Sequence, residues 1–113
     1  MATIKQQLAT FAKLKPVDLD PVIHERYRLF ILTALVKNDV LAWSDLKKLY
    51  ADVSDGNLQV HTKKLVSEGY VNRKKFLDKR NIPRSEFRIT PFGRRALEQY
   101  LEHMRTIADA VMA

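Results

Sequence analysis

Residues 54–69 have the sequence SDGNLQVHTKKLVSEG, and this stretch decides the fold that the chain predicts. Ser54 can cap a helix, because its hydroxyl oxygen accepts a hydrogen bond from a free N–H group of the first turn. Gly69 suits the left-handed backbone just past a helix end. Between them, four residues at helical spacing form one mostly apolar face: Leu58, Thr62, Leu65 and Val66. The stretch therefore predicts one amphipathic helix.

The opposite face of this helix carries polar groups at the same helical spacing. Amide, imidazole and ammonium groups can hydrogen-bond base edges and phosphates in the major groove of DNA. The pattern predicts a recognition helix, with a solvated helix face as the alternative. Val60 could contact a thymine methyl group or be a simple exposed apolar residue, and His61 could form a local hydrogen bond. The predicted contact residues are Ser54, Asn57, Gln59, Val60, His61, Lys63 and Lys64.

Positive charge is concentrated in one part of the chain. Residues 54–95 contain eleven Lys and Arg against four Asp and Glu, a balance of +7. Residues 1–53 contain eight basic and six acidic residues, a balance of +2. Residues 96–113 contain one basic and three acidic residues, a balance of −2. A localised basic region is typical of a protein that binds a polyanion, although a solvated basic surface is the alternative.

Length and composition exclude several classes of protein. A chain of 113 residues predicts one domain with a single core, and the absence of cysteine excludes disulfides and thiolate metal sites. The three histidines lack metal-ligand spacing, and no cofactor loop or catalytic motif is present, so we expect neither a cofactor nor an enzyme. The sequence contains no membrane span and no secretory signal, and we expect a cytoplasmic protein.

Three helices are predicted before the recognition helix, and two of them lie before residue 40. A short one follows Thr3, and its apolar residues must be buried on the domain or on a second chain: Ile4, Leu8, Phe11 and Ala12. A longer one begins at the cap Asp20, with Pro21 in the first helical position. Its wide apolar face predicts a central core helix that ends near Lys37: Val22, Ile23, Tyr27, Phe30, Ile31, Ala34 and Leu35.

A second short helix is predicted directly before the recognition helix. Residues 40–43 form an extended piece, and Ser44 caps a brief helix whose inward residues are Leu46, Leu49 and Tyr50. Only residues 51–53 separate this helix from the next. Two helices joined by so few residues are typical of a helix-turn-helix.

A hairpin with a cationic tip follows the recognition helix. Residues 70–77 and 85–90 have the aromatic and β-branched content of two strands, and residues 78–84 are polar and turn-like. Its basic side chains predict phosphate contacts, although they could also be a solubilising loop that blunts a sheet edge. These residues are Arg73, Lys74, Lys75, Lys79, Arg80 and Arg84.

A last helix begins at Thr90-Pro91, by the rule of a cap followed by proline. Its apolar residues recur at alternating spacings of four and three, the pattern of a coiled-coil seam. We therefore expect this stripe, together with the apolar side of the first helix, to be buried against a second chain. The predicted dimerisation residues are Leu8, Phe11, Leu97, Tyr100, Leu101, Met104, Ile107, Ala108 and Val111.

Local motifs add a family resemblance over residues 19–101. The motifs are DGNL at residues 55–58 with His61 and Leu65, EGYV at 68–71, and Phe87-x-Ile89-Thr90-Pro91-x-Gly93. Together they resemble the stand-alone winged helix-turn-helix transcriptional regulators of the MarR and ArsR groups. The sequence departs from the family at Thr62, where leucine is usual, and at Val60, where a polar residue is usual.

The resemblance implies a fold, a set of partners and a division of the chain. The fold is mainly α with a small β-hairpin wing (α+β), extended by helices at both termini. The division is a dimerisation arm at 1–16, a winged helix-turn-helix at 17–92 and a dimerisation helix at 93–113. The partners are double-stranded DNA, a second copy in a homodimer, and a possible small-molecule effector of unknown identity. The alternative is a winged-helix module that binds RNA or a protein partner.

Overall fold

The computed structural model describes residues 3–12 and 15–112, and this part contains five α-helices and one three-stranded antiparallel sheet. The sheet has the strand order β1-β3-β2. The fold is a winged helix, mainly helical with a β wing, as the sequence predicts. The elements are α1 (Ile4–Ala12), a 3-10 turn (Pro16–Asp18), α2 (Arg26–Lys37), β1 (Leu41–Ala42), α3 (Trp43–Leu49), α4 (Asp55–Ser67), β2 (Val71–Leu77), β3 (Pro83–Ile89) and α5 (Pro91–Met112).

The predicted recognition helix is α4, and both of its end signals are confirmed. The Ser54 hydroxyl oxygen accepts a hydrogen bond from the Asn57 N–H at 3.2 Å, and Gly69 has a φ of 83°. Leu58, Thr62 and Leu65 are buried on the inner face. Burial of a leucine stabilises the fold by about 2 kcal/mol, against about 1 kcal/mol for a cap. Packing therefore holds α4 in place, and the cap sets where it begins.

The core lies between α2, α4, α5 and the sheet. Its fully buried side chains come from α2, α3, α4 and the sheet, and α5 adds Leu97 and Tyr100, which are each 4% exposed. The turn before α2 contributes Ile23, so the core begins upstream of the first core helix. The largest fully buried side chains are Phe87, Ile23, Ile31, Leu32, Leu35, Leu46, Leu58, Leu65 and Val71.

The central helix begins later than the sequence predicts. Asp20 accepts hydrogen bonds from the N–H groups of Val22 and Ile23, but these bonds close a local turn. The cap of α2 is Glu25, whose carboxylate accepts from the Arg28 N–H at 2.8 Å. The prediction that Phe30 belongs to the core face is also wrong, because its side chain is 57% exposed. The buried stripe of α2 is narrower than its apolar content suggests.

The short helix α3 begins one residue before its predicted cap. Its first residue is Trp43, and the Asp45 carboxylate accepts from the Ala42 N–H at 2.8 Å, so Ser44 is not the cap. Leu46 is buried as predicted, whereas Leu49 is exposed. The extended piece is confirmed as β1, in which Leu41 pairs with Phe87.

The hairpin after α4 is confirmed, but its second strand begins at Pro83 and not at Ser85. Proline is tolerated there because it is the first residue of the strand, paired with Leu77 at the end of the ladder. The turn between the strands is closed by a hydrogen bond from the Asp78 N–H to the Ile82 carbonyl at 3.0 Å. Asn81 takes the left-handed conformation in this turn, with a φ of 59°. We call residues 71–89 the wing.

One joint connects α4, the wing and α5. The Thr90 N–H donates to the Tyr70 carbonyl at 3.0 Å, and the Thr90 hydroxyl donates to the Gly69 carbonyl at 2.7 Å. The same hydroxyl oxygen accepts from the Gly93 N–H at 2.9 Å, which caps α5. Gly93 is packed so closely that an added Cβ would lie 2.2 Å from the Tyr70 carbonyl oxygen. We call Gly69, Tyr70, Thr90 and Gly93 the joint.

The two halves of α5 lie in different surroundings. Leu97 and Tyr100 are each only 4% exposed and belong to the core of this chain, so the idea that they line a free seam is wrong. Met104 is half-buried against the core. Four other residues of the predicted seam are exposed: Leu101, Ile107, Ala108 and Val111.

The first helix begins as predicted, with Thr3 as its cap. The Thr3 hydroxyl oxygen accepts from the Gln6 N–H, and the Gln6 side chain accepts from the Thr3 N–H. Leu8 is 64% exposed and Ile4 is also exposed, while the side chain of Phe11 lies outside the described residues. No helix in the described ranges is long and apolar enough to cross a membrane.

Candidate nucleic-acid interface

The outward face of α4 is open along its length. Asn57, Gln59, Lys63 and Lys64 are exposed, and Val60 is 61% exposed at the centre of the face. Ser54 is exposed at the start of the helix, with its hydroxyl oxygen engaged in the cap. These six residues share one surface because Leu58, Thr62 and Leu65 bury the opposite side of the helix in the core. The face is therefore shaped as a polar ridge with one apolar residue in the middle.

His61 lies apart from this ridge, so its predicted place on the outward face is wrong. Its side chain is only 17% exposed, and its ring is stacked on Tyr27 with ring centroids 5.7 Å apart. The Arg28 guanidinium approaches the His61 Nδ1 atom at 3.1 Å. Both contacts come from α2. His61 is therefore on the flank of α4, between the outward face and the body of the protein.

A polar contact holds the segment before α4 against α2. The Tyr27 hydroxyl donates to the Asp52 carboxylate at 2.5 Å, and this hydrogen bond is the main cause that raises the pKa of Tyr27. The Lys47 ammonium and the Asp55 carboxylate lie 3.2 Å apart, connecting α3 to the first turn of α4. The start of the recognition helix is thus attached to both helices that precede it.

The wing carries seven cations against two carboxylates, a balance of +5. Some of the predicted contact residues are held by their neighbours. Arg73 donates to the Ser85 hydroxyl at 3.1 Å and lies over the Phe87 ring, and Lys74 lies over the Phe76 ring. Arg84 is paired with Asp78 at 3.0 Å. Within the described residues no ion pair involves the other three, which are all exposed: Lys75, Lys79 and Arg80.

Asp78 organises the tip of the wing. Its carboxylate accepts from the N–H groups of Arg80 and Ile82 at 2.8 and 3.0 Å, in addition to Arg84. The pKa of Asp78 is lowered, chiefly by the hydrogen bond from Ile82 and further by those from Arg80 and Arg84. An ionised carboxylate inside the turn therefore holds Lys79 and Arg80 at a defined tip.

A cleft of about 600 Å³ separates α4 from the wing. No carboxylate is among its described lining residues, whereas three cations are: Arg73, Lys75 and Arg84. Gln59 and Thr62 contribute from α4, and the β1–α3 segment contributes Trp43 and Ser44. A cleft of this electrostatic character can accept an anionic strand.

A second cleft, of about 340 Å³, lies beside the first half of α5. Arg95, Gln99 and His103 line it from α5, and Tyr70 and Asp20 line it from the opposite side. Burial raises the pKa of Tyr70, whose hydroxyl donates to the Asp20 carboxylate. The His103 Nδ1 atom is buried without a hydrogen-bond partner among the described residues. No group of three metal-ligating side chains occurs in the described ranges.

Two residues of this region were missed from the sequence. Glu25 and Arg28 lie at the start of α2 and surround His61, but the sequence offered only a charged pair at an assumed helix interior. The signal that could have found Glu25 is an acidic side chain near a possible helix start. Its carboxylate can accept from the backbone N–H three residues on, which allows a later start of the helix.

Comparison with known proteins agrees with this geometry. The family described as "Winged helix DNA-binding domain" matches residues 27–108. None of the curated protein sequences compared with the chain is a significant match. The structure is similar to that of the transcriptional regulator homologue protein from Pyrococcus horikoshii OT3, with a TM-score of 0.73 and 25% identity over 93% of this chain and 96% of that one.

Two further solved structures have the same fold at lower identity. A MarR family transcriptional regulator from Silicibacter pomeroyi has a TM-score of 0.59 and 22% identity, over 96% of this chain and 68% of that one. BpsR of Bordetella bronchiseptica has a TM-score of 0.60 and 15% identity, over 94% of this chain and 75% of that one. The resemblance to winged-helix regulators of MarR type is confirmed in the fold. Because the family match spans well over half of the chain, the protein belongs to the winged helix DNA-binding domain family.

Proposed function

We propose that this protein is a transcriptional regulator that binds double-stranded DNA as a homodimer. In this proposal α4 enters the major groove, and the wing follows the phosphate backbone or the minor groove. The observation that carries the proposal is the side-by-side arrangement of an exposed polar helix and a wing with a balance of +5, separated by a cleft with cationic walls. Major grooves are wide enough for a helix, and backbone phosphates attract Lys and Arg.

Affinity and sequence preference come from different surfaces in this proposal. The described residues of α4 contain two lysines and one aspartate, so the helix contributes little net charge. Phosphate contacts of the wing supply most of the affinity, and binding weakens steeply as salt concentration rises. The amide, ammonium and apolar groups on the outward face of α4 supply the discrimination between bases.

A second copy of the chain is the partner that suits the exposed apolar residues of the terminal helices. Leu101, Ile107 and Val111 are exposed on α5, and Ile4 and Leu8 are exposed on α1. Burying such residues against a partner removes apolar surface from water. A two-fold dimer would present two α4 helices to half-sites about 34 Å apart.

A small-molecule effector is part of the proposal as a regulator of DNA binding. The solved structure of BpsR concerns regulation of its DNA binding by 6-hydroxynicotinic acid. The second cleft of the present protein has about 340 Å³, and it combines Arg95 and His103 with the rings of Tyr70 and Phe92. A small ligand with an aromatic ring and polar substituents suits such a lining.

Selection of bound fragments from a random duplex pool tests the DNA-binding proposal. We expect enrichment of a pseudo-palindrome with half-sites one helical turn apart, and an affinity that falls steeply between about 50 and 200 mM salt, as is typical of phosphate-dominated binding. Structured RNA and an acidic protein serve as competitors. Preferential binding of either competitor would support an RNA-binding or protein-binding module, and salt-insensitive binding to duplex DNA would exclude the cationic-surface mechanism.

The molecular mass in solution tests the homodimer. Leu101→Glu places a carboxylate among the exposed apolar residues of α5, and we expect light scattering to report a monomer. Gln99→Glu adds the same charge on the opposite side of α5 and should leave the mass of a dimer unchanged. A dimeric mass for Leu101→Glu would exclude this part of α5 as the interface.

A further inference from the structure

The flank of α4 contains a histidine whose two ring nitrogens lie in different surroundings. The His61 Nδ1 atom is 3.1 Å from the Arg28 Nη1 atom and 3.5 Å from the Glu25 Oε2 atom. Arg28 is fixed in turn, since its Nε–H donates to the Val22 carbonyl at 2.5 Å and its Nη2 lies 3.5 Å from the Pro21 carbonyl. Tyr27 covers one face of the imidazole ring. The ring is therefore held by three side chains, one of which is itself fixed by the turn before α2.

The contact with Arg28 determines which nitrogen of His61 carries the proton. A guanidinium has only donors, so a nitrogen at 3.1 Å from Nη1 has to accept. The alternative is donation from Nδ1–H to Glu25, but that distance of 3.5 Å is longer than a good hydrogen bond. The same Glu25 oxygen already accepts from the Arg28 N–H at 2.8 Å. The contact with Arg28 therefore favours the tautomer of His61 that carries the ring proton on Nε2.

The Nε2–H group of this tautomer has no acceptor within the described residues. The described ranges contain one buried, unpartnered side-chain nitrogen or oxygen, the Nδ1 atom of His103. Because the His61 Nε2 atom has no partner there and is not this buried atom, it is exposed to solvent. It is a donor at the part of the ring that reaches solvent, at the edge of the outward face of α4.

The position of this donor favours a phosphate as its acceptor. Base edges lie at the floor of the major groove and are reached by the most exposed residues of the helix, such as Val60 at 61% exposure. His61 is recessed on the flank that faces α2, where a helix in the groove meets the groove wall. That wall consists of phosphates, whose oxygens accept hydrogen bonds from N–H donors.

We propose that His61 donates a hydrogen bond from Nε2–H to a DNA backbone phosphate, and that Arg28 is the positioning residue that fixes the required tautomer. The inference rests on the proposed function and deepens it, because it moves His61 from base readout to backbone contact. His61 would then fix the register of α4 in the groove without contributing to sequence preference.

Nitrogen NMR of the DNA-free protein tests the tautomer. We expect long-range proton–nitrogen spectra to show His61 with a protonated Nε2 and an unprotonated Nδ1. In Arg28→Met, which keeps the aliphatic part of the side chain, both nitrogen shifts should move toward the averaged values of free imidazole. A protonated Nδ1 in the wild-type protein, or unchanged shifts in Arg28→Met, would overturn the assignment whether or not DNA is bound.

Neutral methylphosphonate substitutions in a duplex selected by the wild-type protein test the phosphate contact. We expect one substituted position in each half-site to weaken wild-type binding about tenfold, as is typical of a hydrogen bond to a charged group. His61→Phe keeps the ring on Tyr27 and should weaken binding to the unmodified duplex about tenfold. The methylphosphonate at that one position should cause no further loss of affinity in this variant. His61→Gln, which places a donor near the Nε2 position, should recover part of the affinity.

His24→Phe is the matched control, because it makes the same replacement at an exposed residue in the turn before α2. It should respond to every methylphosphonate as the wild-type protein does. Either of two results would overturn the contact. One is that His61→Phe binds as tightly as the wild-type protein, and the other is that its loss of affinity adds to that of a methylphosphonate at every position. If sequence-specific DNA binding persists with either result, the proposal of a transcriptional regulator is not contradicted. Absence of any duplex binding by the wild-type protein would end both proposals.

Discussion

The outward face of α4 and the wing differ in both charge and construction. The wing carries seven cations against two carboxylates, whereas α4 carries two lysines and one aspartate in its described residues. The helix is held by leucines buried on its inner face. The wing is held at its tip by hydrogen bonds within the turn itself. The outward face of α4 is anchored in the core along the helix, whereas the wing is anchored in the core only at its base, through Val71 and Phe87, and its tip depends on local bonds.

This difference separates two properties that a DNA-binding protein needs. Long-range attraction to phosphates does not require a rigid surface, so the exposed tip of a hairpin can provide it. Discrimination between base edges requires donors and acceptors at fixed positions, so a helix anchored in the core is better suited. The predictions below test whether affinity and preference can be changed independently, beginning with the largest expected effect.

Removal of the wing cations should cause the largest loss of affinity. A variant with four wing cations replaced by glutamine should bind all duplex sequences on the order of a thousandfold more weakly at ~0.15 M salt, because four phosphate interactions per subunit are removed. The slope of log affinity against log salt should become shallower by about one for each cation that no longer binds a phosphate. Fluorescence anisotropy over a range of salt concentrations measures both. The replaced residues are Lys74, Lys75, Lys79 and Arg80.

A variant with equal charge loss elsewhere is the control for this experiment. Four cations outside α4 and the wing are replaced by glutamine, and the salt slope should stay close to that of the wild-type protein. An equal loss of affinity in both variants would mean that net charge, and not the wing, attracts DNA. The control residues are Lys5, Lys37, Lys48 and Arg105.

A methyl group added at the joint should destabilise α4 and the wing together, because the joint connects both of them to α5. Gly93→Ala places a Cβ 2.2 Å from the Tyr70 carbonyl oxygen, and we expect the free energy of unfolding to fall by about 3 kcal/mol. Urea denaturation measures this change. Gly56→Ala is the control, since nothing lies within 4 Å of its added Cβ, and it should stabilise the helix by about 0.5 kcal/mol. Equal stability of the two variants would show that α5 can shift at the joint without cost.

Single substitutions on the two surfaces should have different consequences for sequence preference. Lys64→Ala should cost about 1–2 kcal/mol on the preferred sequence and relax the preference at one base position. Arg80→Ala should weaken preferred and random sequences by the same factor, because a phosphate contact carries no sequence information. Binding to a panel of single-base variants measures both effects. The reverse pattern would mean that the wing reads bases and α4 contacts the backbone.

Loss of the turn carboxylate should have the smallest effect and should be confined to the wing. Asp78→Ala removes the acceptor of the Arg80 and Ile82 N–H groups, and we expect faster amide exchange at both, with α4 unchanged. Affinity for duplex DNA should fall by about threefold, because Lys79 and Arg80 lose their defined position. Faster exchange in α4 as well would show that the wing and the helix are not independent.

The acid response of the wing has a definite sign. The pKa of Asp78 is lowered in the folded protein, so its contribution to wing stability is present above its unfolded pKa of about 3.9. The contribution is lost as the pH falls through the lower, folded pKa. Wing amide protection should therefore decrease below about pH 4 in the wild-type protein and not in Asp78→Ala.

The sequence was sufficient wherever a local signal agreed with the global fold. Residues 54–69 contain a cap, an apolar stripe and a terminal glycine, and all three agree on α4. The start of α2 was wrong because Asp20-Pro21 is a good helix start that the chain uses for a turn, while Glu25 caps the helix. Apolar content also overstated burial: Phe30 and Leu49 have helical spacing but face solvent.

The parts that could not be predicted depend on contacts between distant segments. Leu97 and Tyr100 fit a seam pattern, but α5 passes over the core before it projects, and that path is not encoded in the spacing. His61 has the spacing of the outward face of α4. It also lies three residues after Leu58 and four before Leu65, which places it beside the buried face. What the spacing could not predict is its contacts with Arg28 and Tyr27, more than thirty positions earlier. The path of α5 and these contacts of His61 leave no local trace in the sequence.

The joint around Gly93 makes α5 a lever. The helix has 22 residues, which corresponds to a length of about 33 Å, and three hydrogen bonds and a close backbone contact fix it at one end. Leu97 and Tyr100 hold the first half of α5 in the core, so residues 101–112 extend about 18 Å beyond it, and a tilt of about 10° there would displace the far end by about 3 Å. In a homodimer joined through the far ends, small changes in this angle would alter the distance between the two α4 helices. The spacing between half-sites would then depend on the angle at which α5 leaves the core.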